Sequence, residues 1–352
     1  MDESQQKELL ETIEVIPELP VSRLVTFSRL WQFETWLRQR VYVELRAKYG
    51  DDWKDHLVGY ADYIKENDLL LTHMPGPEKL YMSFITFGSL TKTISKEWDL
   101  YSSYLPPQSI WDAKIEEVSQ VRNRIAHFRR GNVDDLQRVI QLLRDVDKGF
   151  FKFCTSINES IYPLSMDTND PIIHHFSQLN PYVHDDNNDS YNSIYSHYAH
   201  SFEIKIEIID RPWSPKPTDH SQVIGCPGFF YDLNIHCHDT RIINYKDLLH
   251  STVSLHDSLL YIILSSSEDH LRAIFPSILG KDALIQYIDA FIGAVANNMR
   301  PGRAERSPSE DLVKKEEDKV QRFADSCPEY VIGPKNPLSF LDPSIECSFF
   351  EA

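Results

Sequence analysis

Apolar side chains in the first 160 residues recur at three- and four-residue intervals, in one segment after another. This spacing is typical of helices that bury one face. The longest such segment lies between Pro20 and Gly50, residues that favour a helix start and a helix end. Its apolar stripe comprises Leu30, Phe33, Leu37, Val41 and Leu45. We therefore expect residues 1–160 to form a bundle of helices.

Further segments of this region carry the same period. Residues 9–16, 52–67 and 77–94 predict three shorter helices. A fifth helix is predicted after Pro107, ending at Gly131, with an inward stripe of Ile115, Val118, Val121, Ile125 and Phe128. A sixth opens at Asn132 and places acidic residues in its first turn, where the helix dipole favours anions.

The period changes to two after residue 201. In residues 202–208, Phe and Ile alternate with charged residues, which predicts a half-buried strand, and residues 229–238 predict a second strand. Helical spacing returns in residues 245–265 and 282–298. The predicted fold class is therefore α+β, with an all-α helical bundle followed by a smaller α+β domain.

Composition divides the chain into four parts. Residues 1–160 form the helical bundle, and residues 161–200, rich in Asn and Asp, form an acidic linker. Residues 201–300 form the α+β domain, for which we expect a sensor or partner-binding role, and residues 301–352 form a charged C-terminal tail.

Charge and apolar content exclude several classes of protein. The net charge is −17, of which −4 falls in residues 1–160 and −13 in the remainder, so the chain does not coat nucleic acid with its whole surface. It carries no glycine-rich phosphate or dinucleotide fingerprint and no apolar run long enough to span a membrane. The first residues lack a signal-peptide pattern, and five scattered cysteines suit reduced thiols. We therefore expect a cytoplasmic protein that does not associate with membranes.

The end of the fifth predicted helix concentrates basic side chains within this acidic protein. The stretch from residue 121 to 130 contains Arg122, Asn123, Arg124, His127, Arg129 and Arg130. A guanidinium can hold the non-bridging oxygens of a phosphodiester, and an imidazole can exchange a proton near neutral pH. RNA supplies its own nucleophile in the 2′-OH, so this set could act on RNA without a metal. The alternative is an exposed basic helix end whose cations interact with the helix dipole.

The stretch Arg122-Asn123-Arg124-Ile125-Ala126-His127 resembles the hallmark of the HEPN superfamily, an Arg followed after four to six residues by His, often with Asn after the Arg. Residues 37–40 and 49–53 also resemble a helix and turn of large standalone prokaryotic HEPN proteins. The resemblance covers roughly residues 20–155.

The resemblance implies a metal-independent endoribonuclease without a cofactor, which works as a homodimer with two motifs in a shared basic cleft. Such proteins are commonly toxins or abortive-infection effectors in antiviral defence, and tRNA or mRNA would be the target. Arg122 would stabilise the scissile phosphate, His127 would act as general acid or base with support from Asn123, and Arg124, Arg129 and Arg130 would bind RNA. A phage-derived trigger or an antitoxin would control it. Toxins modified by a nucleotidyltransferase antitoxin usually carry Tyr two residues after the His, where this chain has Arg129.

Three alternatives stand beside this interpretation. A HEPN-like dimer could bind RNA, nucleotide or a protein partner without cutting. His236 and His238 share one face of a predicted strand near Cys226 and Cys237, which would suit a zinc hydrolase, but the spacing lacks a paired-Cys motif and a fourth ligand. Seven aromatic residues of the first domain could stack on bases, although their spacing favours packing in the core: Trp31, Trp36, Tyr42, Trp53, Tyr60, Phe84 and Phe87.

Overall fold

The computed structural model describes residues 21–59, 70, 80–159, 170–176, 183–185, 190–192, 202–216, 222–237, 241–302, 310–345 and 347–351. Two compact units divide the chain. The first unit comprises Met1–Val41, Ile85–Phe151 and Cys347–Ala352, and the second comprises Tyr42–Phe84 and Lys152–Glu346. Helices occupy the described chain up to residue 156 and the sheets follow, so the predicted α+β class is confirmed.

Four helices form most of the described N-terminal region. They are α1 (Val21–Tyr49), α2 (Phe87–Lys96), α3 (Gln108–Ala126) and α4 (Asp135–Thr155). The first is described from Val21 and ends at Tyr49, directly before Gly50, whose φ of +57° suits glycine, so the predicted end is confirmed. All five residues of its predicted apolar stripe are buried.

The shorter predicted helices fare less well. The segment predicted over residues 77–94 is described from residue 80, as a 3₁₀ turn (Tyr81–Phe84) followed by α2. The two are separate because the Thr86 hydroxyl caps α2 by accepting the Ser89 N–H at 3.2 Å. Of residues 52–67, residues 52–56 belong to a 3₁₀ helix (Gly50–His56) and residues 57–59 form a bend. Residues 60–67 lie outside the described residues, as do residues 9–16.

Phe33 lies at the centre of the first unit's core. Its ring contacts four aromatic rings at centroid distances of 5.9–6.4 Å: Phe87, Trp111, Phe150 and Phe350. The last of these comes from residues 347–351. The Asp147 carboxylate fixes that segment by accepting the Phe349 and Phe350 N–H groups at 3.0 and 2.7 Å, and Arg29 donates to the Phe350 carbonyl at 2.7 Å.

The second unit contains three sheets and five short or medium helices among its described residues. In chain order they are α5 (Pro171–Phe176), β1 (Val183–Asp185), β2 (Ser190–Asn192), β3 (Phe202–Asp210), β4 (Phe229–Cys237), β5 (Arg241–Ile243), α6 (Tyr245–Ser251), β6 (Tyr261–Leu264), β7 (His270–Pro276), α7 (Lys281–Asn297), β8 (Met299–Pro301), α8 (Glu310–Asp325), β9 (Val331–Ile332) and α9 (Pro337–Phe340).

The main sheet has the order β3-β4-β7-β6-β9, antiparallel except between β6 and β9. One face is apolar and packs against α7, where Phe275 meets Phe291 edge-on at 6.2 Å. The other face carries the charged residues of β3, together with Asp232, Asn234 and Arg272. The strands predicted at residues 202–208 and 229–238 are therefore confirmed, with the second ending at Cys237.

One prediction for the second half of the chain is wrong, and one strand was not predicted. The helix predicted over residues 245–265 ends at Ser251, and β6 follows with all four residues buried. The sequence pattern also gives no indication of strand β7. β6 is buried on two faces, and such a strand shows no period-two alternation that separates it from a helix. β7 is buried throughout only in its last four residues, 273–276.

Parts of the predicted linker and tail are folded. In the segment predicted as a linker, Ile172 and Phe176 of α5 are buried in the second unit's core. In the segment predicted as a tail, Val320, Ala324 and Val331 are also buried in it. This part of the predicted tail folds because Val320 and Ala324, four residues apart, form one buried stripe on an otherwise charged helix.

A fully buried ion pair also lies in the second unit. The Arg211 Nη2 atom lies 2.5 Å from Glu44 Oε1, and both side chains are 0% exposed. Trp213 donates its indole N–H to Glu44 Oε2 at 2.6 Å, and Arg211 donates to the Ser156 hydroxyl at 3.1 Å. The hydrogen bonds satisfy charges that would be strongly unfavourable alone in the interior.

His256 makes the second unit's stability depend on pH. Its ring hydrogen-bonds Thr252 at 2.9 Å and the Tyr330 hydroxyl, and burial lowers its pKa from 6.5 to about 4, although the Asp257 carboxylate opposes this shift. The unfolded chain therefore binds a proton below pH 6.5 that the folded protein does not bind until the pH approaches 4. We expect the free energy of unfolding to be unaffected above pH 6.5 and to fall by about 3 kcal/mol between pH 6.5 and 4.

Urea unfolding at a series of pH values measures this dependence. His256→Gln should flatten the profile in that window, whereas His250→Gln, at an exposed position of α6, should leave it unchanged. Equal slopes in wild type and His256→Gln would contradict the assignment.

Among the described residues, the structure contains no helix of the length and apolar character that a membrane span requires.

Candidate active site

The site residues lie where α3 ends. The Arg129 N–H donates to the Arg124 carbonyl at 2.9 Å and the Phe128 N–H donates to the Ile125 carbonyl at 3.1 Å, the two bonds of a Schellman cap. Its left-handed position is filled by Phe128, with φ of +52°. The helix therefore stops at Ala126, and His127 is the exposed C-cap residue.

This cap corrects one prediction and changes another. Phe128 belongs to the predicted inward stripe, but it lies beyond the helix and is 96% exposed. Its left-handed backbone is disfavoured by about 1–2 kcal/mol relative to glycine, because its Cβ crowds the carbonyl that follows. Arg130 also lies beyond the helix, whereas the sequence pattern predicted a helix that continues to Gly131.

Arg122 is held by the first helix. Its Nε atom lies 3.5 Å from Glu34 Oε2, and Glu34 Oε1 accepts a hydrogen bond from Arg38 Nη2 at 2.6 Å. The Arg122 side chain remains 31% exposed, whereas that of Glu34 is 11% exposed. A largely buried carboxylate needs such partners, so Glu34 fixes the place of Arg122 while leaving part of the guanidinium accessible to solvent.

Arg124 has a different environment. Its guanidinium binds both carboxylate oxygens of Asp135, one through Nε at 3.3 Å, and Asp135 also accepts the Asn132 N–H at 2.8 Å. Burial by itself would raise the pKa of Asp135, but the hydrogen bonds from Arg124 and Asn132 outweigh it and lower that pKa below its usual range. Arg124 thus ties the connection between α3 and α4 to the end of α3.

The remaining predicted site residues are exposed. Asn123, Arg129 and Arg130 all face solvent, and Arg130 borders a shallow depression formed with Gly131 and Asn132. The structure therefore places the basic residues at one end of α3, but among the described residues no hydrogen bond or ion pair joins the Arg122 and His127 side chains.

Sequence reasoning missed Glu34 as the partner of Arg122. The two residues are far apart in sequence, and the available signal was local: Glu34 and Arg38 are four residues apart, the spacing of an ion pair on a helix surface.

The zinc alternative depends partly on residues that are not described. His236 is exposed on β4, Cys237 is buried on the apolar face of the sheet, and His238 lies outside the described residues. Within the described ranges, no three His, Cys, Asp or Glu side chains are grouped as metal ligands would be.

A second concave surface lies on the polar face of the second unit's main sheet. It is a cleft of about 340 Å³ bordered by Glu207, Asn234, His270 and Arg272. The Arg272 guanidinium donates hydrogen bonds to the Asp232 carboxylate, to the Asn158 side chain and to the carbonyls of Ile157 and Ser339. The Asn234 Nδ2 atom is buried and has no hydrogen-bond partner in the described part of the chain.

Comparison with protein-family models, with curated proteins and with solved structures gives no match for this chain.

Proposed function

We propose that this protein is a metal-independent endoribonuclease of the HEPN superfamily, acting as a homodimer in toxin or abortive-infection defence in the cytoplasm. One observation carries the proposal. Arg122 and His127 stand at the end of the same helix, where Glu34 holds the guanidinium and the helix cap exposes the imidazole. Exposed Arg129 and Arg130 add positive charge for a phosphate backbone at the same place.

In the proposed reaction the RNA 2′-OH attacks the adjacent phosphorus atom. One His127 takes the 2′-proton while the new P–O2′ bond forms, and His127 of the partner subunit gives a proton to the leaving 5′ oxygen as the P–O5′ bond breaks. Arg122 neutralises the charge that develops on the phosphorane oxygens, and Asn123 orients the substrate or the imidazole. The products are a 2′,3′-cyclic phosphate and a 5′-OH.

The product ends test this mechanism. We expect purified protein to cleave tRNA or total RNA in EDTA and to leave cyclic phosphate, because the nucleophile belongs to the substrate and the charge is neutralised by Arg122. End mapping, by ligation specific for cyclic phosphate, measures this. Cleavage that EDTA abolishes, or products with 3′-OH ends, would contradict the proposal.

A second candidate is a non-catalytic dimer that binds RNA, nucleotide or a protein. The ion pair between Arg122 and Glu34 favours it, because Glu34 already offsets part of the charge that catalysis would use. This candidate predicts RNA or partner binding with no cleavage in any condition.

For the second unit we propose regulation by a phage-derived trigger or an antitoxin. Its support is the acidic excess of residues 161–352 and the cleft that carries the unpartnered Asn234 amide. If the purified protein cleaves nothing, the same assay with lysate from phage-infected cells separates a gated enzyme, which cleaves, from a binding protein, which does not.

A further inference from the structure

Three exposed aromatic side chains lie close to the candidate active site. Trp31 is 63% exposed and Phe27 55%, both on α1, and Phe128 is 96% exposed directly after His127. Of the seven aromatic residues whose spacing favours packing, Tyr42, Trp53, Phe84 and Phe87 are buried, and Trp36 is partly buried against Phe349. Tyr60 lies outside the described residues. Trp31 is thus the described exception to core packing.

The first unit's own contacts place Phe27 and Trp31 beside the site. Arg122 meets Glu34, and the Arg23 Nε atom lies 3.9 Å from the position that a Cβ at Gly131 would take. The segment from residue 122 to 131 therefore passes along α1 from Glu34 back to Arg23, over about 16 Å of helix axis.

Phe27 and Trp31 lie on that stretch of the helix. At about 100° per residue, Arg23, Phe27, Trp31 and Glu34 fall within an arc of about 80° on one face of α1. His127 and Phe128 belong to the segment that runs along this face. We call Phe27, Trp31 and Phe128 the aromatic ridge.

The charge around the ridge favours a nucleic-acid strand. Arg23 is partly exposed on α1 beside the ridge. The one acidic residue of residues 21–41, Glu34, is already paired with Arg38 and Arg122. Arg129 and Arg130 are exposed beside Phe128. Exposed aromatic rings within a positively charged groove are the arrangement on which unpaired bases stack while arginines track the phosphates.

The same charge favours an RNA strand over direct packing of a second copy on the ridge. In the proposed homodimer the two-fold axis brings Arg129 and Arg130 of both subunits to one shared cleft. An anionic strand between them relieves the repulsion of like charges. The backbone of Phe128 has the unfavourable left-handed conformation, and its aromatic ring is held in solvent. Strained residues of this kind cluster at ligand sites.

We propose that the aromatic ridge binds the bases of an unpaired RNA strand that flank the scissile phosphate, so the substrate is single-stranded or a loop. This inference rests on the proposed function, since it uses the same site. The bases stack on Trp31, Phe27 and Phe128, and the phosphates follow the arginines. Double-stranded RNA binds more weakly, because its bases cannot reach the rings.

The test uses a probe that cannot be cut. A 5′-fluorescein single strand of about 12 nucleotides with 2′-O-methyl riboses is titrated with the His127→Ala protein, and anisotropy measures the affinity. We expect Trp31→Ala in this background to weaken binding about tenfold or more, and Trp31→Phe to retain most of the affinity. Ile110→Ala, at an exposed apolar position of α3, is the matched control and should change nothing.

A second probe isolates the bases. The same strand with abasic sites keeps every phosphate, so the difference in affinity between the His127→Ala protein and its Trp31→Ala derivative should disappear. An unchanged affinity of the intact strand for the Trp31→Ala protein would overturn the proposal. So would a Trp31→Ala protein that sediments as a smaller species and binds RNA normally, because the ridge would then be a contact between copies.

Failure of the proposed function gives a different result. If the wild-type protein cuts no RNA but binds the probe through Trp31, the proposal for the aromatic ridge stands and the proposed nuclease activity is contradicted. If the Trp31→Ala protein cuts RNA as well as wild type and with the same KM, the proposed nuclease activity stands and the proposal for the aromatic ridge is contradicted.

Discussion

Replacing Arg122 or His127 by alanine is expected to lower the rate of RNA cleavage by about two to four orders of magnitude. In the proposed mechanism Arg122 supplies positive charge that matters most in the transition state, and His127 moves the proton of the 2′-OH. Arg122→Lys should recover part of the rate, since it restores charge without the planar guanidinium. Single-turnover cleavage of a labelled RNA measures these effects on the chemical step.

Two controls separate catalysis from folding. Because Glu34 keeps its bond to Arg38 when Arg122 is removed, we expect the free energy of unfolding of Arg122→Ala to lie within about 1 kcal/mol of wild type. Arg138→Ala removes an exposed arginine of α4 and should cleave normally. Wild-type rates in both Arg122→Ala and His127→Ala would exclude this site as the catalytic centre.

Removing Arg211 is expected to cost about 3–5 kcal/mol of folding free energy, enough to leave much of the protein unfolded near body temperature. The loss arises because Glu44 would stay buried without its main counter-charge, with Trp213 as its remaining hydrogen-bond donor in the described contacts. Urea unfolding of Arg211→Ala measures it, and Arg211→Lys provides a milder variant if the alanine protein is insoluble.

The buried pair of Arg211 and Glu44 is expected to differ from surface ion pairs in the stability that remains after both charges are removed. Glu44→Met with Arg211→Met removes both charges, and we expect it to recover most of the stability lost by Arg211→Ala. Arg300→Ala breaks an exposed pair with Glu268 and should change the free energy of unfolding by less than about 1 kcal/mol. An Arg211→Ala protein as stable as Arg300→Ala would contradict the assignment.

The elements that sequence patterns predicted well are those with one buried face. The apolar stripe of α1 and the alternation of β3 each mark one surface that packs against a core, and the end of α1 follows from Gly50. Strand β6 was predicted as part of a helix because all four of its residues are buried and show no alternation. The prediction that Phe128 faces the core was wrong because a helix cap ends α3 before this residue, and such a cap depends on backbone conformation rather than hydropathy.

For the candidate site, the sequence could supply residue types but not their partners. The motif located Arg122 and His127, yet nothing local indicates that Glu34 holds Arg122 or that Arg124 is bound to Asp135. Trp31 shows the converse limit. Leu30 and Phe33, close to it in the sequence, are buried, whereas its own ring is 63% exposed.

The segment of residues 347–351 sets an order on how the proposed nuclease comes into being. Phe350 fills the core around Phe33, and the Asp147 carboxylate binds the Phe349 and Phe350 amides. A ribosome makes these residues only after the entire second unit has been translated. A nascent or prematurely terminated chain would therefore hold Arg122 and His127 on an unfinished core, so that the proposed site is completed only after the second unit has been synthesised.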